Sequence, residues 1–343
     1  MWKLLLTLLL AAGIALAGAF WFTQHWFVSG KSLLASKSSA MIEKAKEPVA
    51  LEIEPGSGIA VVAARLAGEG RLAHPRLWQL MARLRGEDRL LQAGEYLLPP
   101  GQTPAELLAQ LVSGEVRNRS LVIVEGATVA TLLAQLAEAP KLAQTLVQPD
   151  TQSLLSLLDL PEGHAEGRFF PDTYRYRAGD SDRDILDQAH KRMSEHLANA
   201  WATRATDVPY ENAYELLVMA SIIEKETGAE ADRAQISQVF ARRLRLGMRL
   251  QTDPTVIYGL GSDFDGDIRS ADLVNDTPYN TYTRRGLPPT PISLPGKAAL
   301  QAAAHPADGE FLYFVSRGDG SSQFSKTLAE HNAAVRRYQL KRR

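Results

Sequence analysis

Leu4 to Thr23 is a run of 20 residues without a charge. At about 1.5 Å of rise per residue, a helix of that length spans about 30 Å, one bilayer core. Trp21, Phe22, Trp26 and Phe27 fall where an aromatic belt belongs. Ala15-Leu16-Ala17 and Ala17-Gly18-Ala19 resemble signal-cleavage sites, but the apolar run continues past both and is long for a signal core. A retained anchor over residues 1–28 is therefore expected, and either reading sends the rest of the chain across a membrane. Lys3 precedes the run, while Lys31, Lys37, Lys44 and Lys46 follow it. A large following domain translocates regardless of such charges.

Residues 29–48 are rich in Ser, Lys and Ala and read as a linker. A compact unit is expected over 49–116. Leu51-Glu52-Ile53 alternates like a strand, Pro55-Gly56-Ser57-Gly58 is a turn, and Ile59–Leu66 and Leu77–Leu84 have helical apolar spacing. Residues 93–98 read as a returning strand. Thr103-Pro104-Ala105-Glu106 then opens a helix, with Thr as cap, Pro at the first position and Glu at the third; Gly114 closes it.

A second, larger domain is expected over 117–343. Ser120–Gly126 reads as a strand and turn, and helices are predicted at 128–138, 182–203, 210–228 and 231–246. Residues 251–296 hold many Pro, Gly, Asn, Asp and Tyr with little periodicity, which predicts a long irregular stretch of the kind that carries function. A strand at 311–315, a Gly318-Asp319-Gly320 turn, a strand at 323–326 and a helix from 328 close the chain. The mixture is α+β.

Composition changes little. Of 343 residues, 45% are hydrophobic and 22% charged, as in ordinary folded proteins, and a formal charge of −1 gives no footprint for nucleic acid. The lack of cysteine excludes disulfides, thiolate metal sites and a cysteine nucleophile. The histidines, among them His190, His196, His305 and His331, lack metal-ligand spacing, and no Ser nucleophile elbow is present. Asp263–Asp267 hints at calcium, but a calcium loop needs Gly and Glu where the chain has Ile268 and Val274.

The chemistry concentrates at Met219–Ala229, where an apolar helix ends in Glu224 and Glu226. Residues two apart on a helix diverge by about 200°, so the two carboxylates cannot share one cleft. Glu226 continues the stripe of Met219, Ile222 and Ile223, where a carboxyl has the raised pKa of a general acid. Glu224 shares a face with Leu217, Ala220 and Ser221, so the residues alone tilt the choice toward Glu226 and leave open that both merely decorate a helix end. Arg242, Arg245 and Arg249 share a helix face and are either solvated or aimed at substrate carboxylates. Leu250–Gly259, Pro278–Tyr282 with Gly286–Pro289, and Gly167–Tyr174 combine aromatic faces with neutral polar groups, a mixture that suits a sugar.

Ala220–Thr227, Arg249–Gly259, Tyr279-Asn280-Thr281-Tyr282, Gly286–Pro289, Ala302–Pro306 and Gly167–Tyr174 together resemble the endolytic murein transglycosylases of the MltG (YceG-like) type. The resemblance implies a single-pass anchor in a bacterial inner membrane, a LysM-like domain at 49–116 and a periplasmic catalytic domain at 117–343. It places the catalytic acid on Glu226, since other lytic transglycosylases carry Glu followed by Ser and Glu226-Thr227 is similar; Glu224 receives a supporting role. Phe170, Gln251, Thr252, Asp253, Tyr258, Tyr279, Asn280, Thr281 and Tyr282 are the expected substrate-binding residues. The implied reaction cleaves MurNAc–β-1,4–GlcNAc bonds of nascent glycan strands to 1,6-anhydro ends, ending strand elongation, with no cofactor or metal. The implied partners are peptidoglycan strands, the inner membrane and peptidoglycan synthases, with no nucleic acid. A membrane-tethered peptidoglycan-binding scaffold without turnover is the competing class.

Overall fold

The computed structural model describes residues 2–29, 48–72 and 74–339. The linker expected at 29–48, with its four lysines, lies outside the described residues except for its two end positions. Two compact units divide the chain, Met1–Arg119 with Arg177–Gly179, and Ser120–Tyr176 with Asp180–Arg343.

The first unit begins with helix α1 (Trp2–Ser29), of which Leu6–Val28 is long and apolar enough to cross a bilayer. Strand β1 (Val49–Ile53) pairs antiparallel with β2 (Gly94–Leu98), Val49 opposite Leu98 and Ile53 opposite Gly94. Helices α2 (Ile59–Gly68), α3 (Pro75–Leu84) and α4 (Pro104–Ser113) bury their apolar stripes with it around Trp78, Tyr96 and Leu107. Two buried polar tips find carbonyls: Trp78 Nε1 donates to Pro104 at 2.9 Å, and the Tyr96 hydroxyl to Gln92 at 2.7 Å. The cap read at α4 is present, with Thr103 and Glu106 bonded reciprocally and Gly114 left-handed at φ 72°. The last turn of α1 is part of this core. Phe27 is fully buried, the Arg85 guanidinium lies 5.5 Å from its ring centroid, and Trp26 meets His74 edge-on at 5.3 Å.

In the second unit, β3 (Arg119–Val122) pairs with β4 (Thr173–Tyr176). These strands, α5 (Val129–Glu138), the short α6 (Leu154–Leu157) and the start of α7 (Asp182–Thr203) enclose one core. A second core surrounds α8 (Ala213–Glu226), where Leu216 through Ile223 are all buried. An apolar helix with no polar side ends up enclosed; α9 (Glu230–Arg245), α12 (Lys297–Ala304) and α7 pack on it. The hairpin of β5 (Tyr313–Ser316) and β6 (Ser322–Ser325) and helix α13 (Leu328–Tyr338) complete the unit.

Three expectations need correction. Helix α8 spans 213–226, not 210–228: Asn212 caps it and Thr227 is extended. Strand β3 ends at Val122 rather than running on toward Gly126. The stretch 251–296 is not wholly irregular. It contains α10 (Asp253–Leu260), a 3₁₀ turn (Gly261–Asp263) and α11 (Ser270–Val274). Pro254 in the first turn starts α10, and Gly259 with the short length obscures its period in the sequence.

Candidate active site

The last residue of the buried helix α8 is Glu226, and its carboxyl emerges into a cleft of about 620 Å³. Gln251, Thr252, Asp253, Tyr282, Arg243, Tyr313 and His331 are among the lining residues. Glu224, two positions earlier, points elsewhere: its Oε2 accepts the N–H of Gly296, which caps α12, at 2.9 Å. The divergence expected from helix geometry is thus realised, and Glu224 holds a helix end.

The Thr252 hydroxyl donates to Oε1 of Glu226, and among the described residues no other side chain hydrogen-bonds that carboxyl. Thr252 is itself fixed. Its N–H donates to Thr281 Oγ1 at 3.0 Å, its carbonyl accepts from Thr255 Oγ1 at 2.8 Å, and it caps α10. Gln251, just before it, sits at φ 51° with its N–H bonded to the Thr281 carbonyl. That conformation is costly for a residue with a side chain and marks a backbone held by its surroundings. Asn280 holds the facing loop, donating to the carbonyls of Asp272, Leu273 and Asn275 and accepting the N–H of Tyr282. The Tyr282 hydroxyl donates to Asp253 Oδ1.

Arg243, from the last turn of α9, is the buried cation of the site. It donates through Nε to the Leu312 carbonyl at 2.7 Å, and through one terminal nitrogen to the carbonyls of Leu250 at 2.7 Å and Arg249 at 3.3 Å. Its guanidinium lies 5.2 Å from the Tyr313 ring centroid. It therefore joins the hairpin to the 249–251 segment under the cleft floor.

Burial pushes the Glu226 carboxyl up to about 7; the Thr252 hydrogen bond pulls it down, the Asp253 carboxylate raises it and Arg243 lowers it. A carboxyl so placed is part protonated at neutral pH, as a general acid must be. Burial also raises Glu224, against the Gly296 hydrogen bond.

Of the residues expected to bind substrate, Gln251, Thr252, Asp253 and Tyr282 line this cleft with Glu226. The others lie outside its lining. Phe170 is buried and stacks on His196, with ring centroids 4.1 Å apart. Tyr258 and Tyr279 meet edge-on at 5.0 Å and spend their hydroxyls on Glu166 and Thr290. Asn280 and Thr281 are buried and shape the loop that presents Tyr282. Of the three arginines considered, Arg245 pairs with Asp207 and Arg249 is exposed. The cation at the cleft is Arg243, which the sequence reading passed over. Its signal was there: Ile236, Val239, Phe240 and Arg243 form one buried stripe, so a lone cation sits on an apolar face.

Glu166 was also missed. It is 1% exposed, accepts the Val129 N–H at 3.1 Å on Oε1 and the Tyr258 hydroxyl at 3.2 Å on Oε2. Burial pushes it up to about 7, against these hydrogen bonds. Its folded value exceeds the ordinary 4.5, so the folded state keeps the proton longer than the unfolded one. The stability this brings is full below the unfolded pKa and is lost as pH rises through about 7. Glu166→Gln is expected to shrink the fall in melting temperature across that window. Thermal denaturation against pH, wild type beside variant, measures it; an unchanged slope would show that Glu166 does not titrate there.

Comparison with known proteins follows the same lines. The profile of the YceG-like family matches residues 51–337. The chain is 31% identical over 330 residues to an endolytic murein transglycosylase of Bacillus subtilis (strain 168), covering 91% of this chain and 89% of that one. It is 27% identical over 323 residues to an endolytic murein transglycosylase of Streptococcus pneumoniae serotype 2 (strain D39), where the match spans 58% of the relative. A crystal structure of a yceG-like protein from Listeria monocytogenes is similar with a TM-score of 0.53 and 31% identity, over 84% of this chain and 99% of that one.

Proposed function

The chain belongs to the YceG-like family, and from that premise we propose that it is a lytic transglycosylase of peptidoglycan, held to the membrane by α1, with Glu226 as its catalytic acid. The observation that carries the chemistry is one carboxyl, raised to about 7, at the end of a buried helix and facing an open cleft. The name of the Bacillus subtilis relative supports murein as the substrate.

In this reading a glycan strand lies in the cleft with a MurNAc–β-1,4–GlcNAc bond at Glu226. The acid gives its proton to the glycosidic oxygen, the C1–O4 bond breaks, and the GlcNAc half leaves with a free C4 hydroxyl. The carboxylate left behind takes the proton of the muramyl C6 hydroxyl, and O6 closes on C1 to form the 1,6-anhydro ring. The nucleophile is part of the substrate, so the gain from proximity is large and no second protein carboxylate has to attack. Asp253 favours the protonated acid by its charge, Thr252 orients it, and Gln251 and Tyr282 offer hydrogen bonds to sugar hydroxyls. The β1–α2–α3–β2 order with its antiparallel pairing supports a LysM-like small unit.

Mass spectrometry of peptidoglycan digested by the protein tests this. Anhydro-muramyl ends are expected. Reducing ends would mean a hydrolase and turn attention to Asp253 as a second carboxylate. Binding without products, also from a membrane-embedded preparation, would favour the scaffold.

The pH profile gives a second test. The acid must start protonated, so kcat/KM is expected to fall as pH rises through about 7. Asp253→Asn removes the neighbouring negative charge that raises Glu226, so the alkaline limb should move to lower pH. A limb that stays put or moves up would show that Asp253 does not tune the acid.

A further inference from the structure

The first unit leaves one of its helices with an outward face that is not polar. On α3 the exposed positions are Arg76, Leu80, Arg83 and Leu84, spaced as one stripe, and the following turn adds Arg85, Arg89 and Leu90. Leu80, Leu84 and Leu90 are 50%, 69% and 54% exposed. The acids near them are Glu87, which pairs with Arg85 at 3.2 Å, and Asp88. Four arginines among three exposed leucines in 15 residues depart from a chain whose formal charge is −1.

The placement of α3 gives this face its meaning. His74, just before the helix, touches Trp26, and Arg85, just after it, lies over Phe27. Both ends of α3 therefore reach side chains from a single turn of α1. A ten-residue helix is about 15 Å long, so α3 runs across the end of α1 rather than along it. With α1 crossing a bilayer, α3 lies along the bilayer surface at the level where α1 emerges. Trp78, Met81 and Ala82 face the core of the unit, leaving the Arg–Leu stripe on the opposite side.

From this we infer that α3 and the turn to Leu90 form a membrane-surface contact, with the leucines in the headgroup boundary and the arginines on anionic phospholipid headgroups. The inference rests on the reading of α1 as a membrane anchor. Charge complementarity and continuity with α1 both favour lipid, since a basic amphipathic face gains from apolar burial and from anionic headgroups together. The result would be a small unit resting on the bilayer by two attachments.

The chain has no cysteine, so single cysteines can be placed without background. The full-length protein, reconstituted into vesicles, carries an environment-sensitive fluorophore at Leu84→Cys or at Val61→Cys, the latter an exposed position on α2. In vesicles containing phosphatidylglycerol, the label at 84 is expected to shift to the blue and to be quenched by spin-labelled lipid, while the label at 61 stays aqueous. The shift should vanish in pure phosphatidylcholine vesicles, and Arg76→Glu with Arg83→Glu should abolish it, since each arginine near an anionic surface is worth about fivefold in partitioning. An aqueous signal at 84 in anionic vesicles that retain the protein, or equal shielding at 84 and 61, would overturn the contact. Shielding that ignores lipid charge and the Glu pair would overturn its assignment to anionic headgroups. Protein that fails to float with the vesicles would overturn the anchor reading itself, and the contact with it.

Discussion

Glu226→Gln is expected to lower turnover of peptidoglycan about 10³-fold while leaving the thermal midpoint close to that of the wild type. The substitution keeps the shape and one oxygen for the Thr252 hydroxyl but removes the proton that the proposed reaction gives to the leaving alcohol. Folding should not suffer, because the side chain stands at a helix end facing a cleft and makes a single side-chain hydrogen bond among the described residues. Stability at neutral pH can even rise, since an amide avoids the cost of a buried negative charge. Release of anhydro-muramyl ends per unit time, with a denaturation curve on the same sample, makes the measurement. Substantial turnover by the folded variant would remove Glu226 from the role of acid. Glu224→Gln is the paired control: it should affect stability through the end of α12 rather than remove the acid.

Arg243→Leu has the other large effect, on stability. The guanidinium satisfies the carbonyls of Leu312, Leu250 and Arg249, and leucine leaves them without its donors. Hydrogen bonds from charged donors contribute about 1.5–3 kcal/mol each, and their partial replacement by water points to a net loss of about 3 kcal/mol, a drop of roughly 10 °C in midpoint. Activity should fall further than the unfolded fraction explains, because the same carbonyls hold the segment that carries Thr252. Arg243→Lys should recover part of the stability but not the geometry, since an ammonium cannot reproduce the planar fork. Denaturation midpoints and kcat at a temperature where each variant is folded separate the two losses. A Leu variant with wild-type midpoint and kcat would show that the fork supports neither.

The sequence was most legible where one local rule acts alone. The α4 cap follows from Thr103, Pro104, Glu106 and Gly114, all of which use backbone groups within a few residues. The long apolar run and the divergence of Glu224 from Glu226 follow from helix geometry alone. Legibility failed where tertiary partners decide. Tyr258 and Tyr279 carry the chemistry of a sugar platform in sequence, but their hydroxyls are taken, that of Tyr258 by Glu166, 92 residues earlier, and that of Tyr279 by Thr290 in the loop that follows it. Thr281 and Asn280 look like ligands until their buried bonds to loop backbone are seen. Arg243 required reading a cation on an apolar stripe as purposeful, and Glu166 offers no periodic signal because it lies in a turn with Gly167. A place on an apolar stripe does not single out Glu226, because α8 is buried on every side from Leu216 to Ile223. What distinguishes Glu226 is the cleft at its helix end.

Thr252 occupies one edge of the Glu226 carboxyl, and this sets the traffic at the site. With Oε1 engaged by the hydroxyl, the proposed reaction would have Oε2 as its single working edge, used first to give a proton and then to receive one. In that reaction the departing C4 alcohol and the incoming C6 alcohol would visit the same atom in turn. The departing sugar would then have to make way before the ring could close. Short fragments ending in a free C4 hydroxyl would queue at that atom, and slow release there would favour rejoining of the strand over its cleavage.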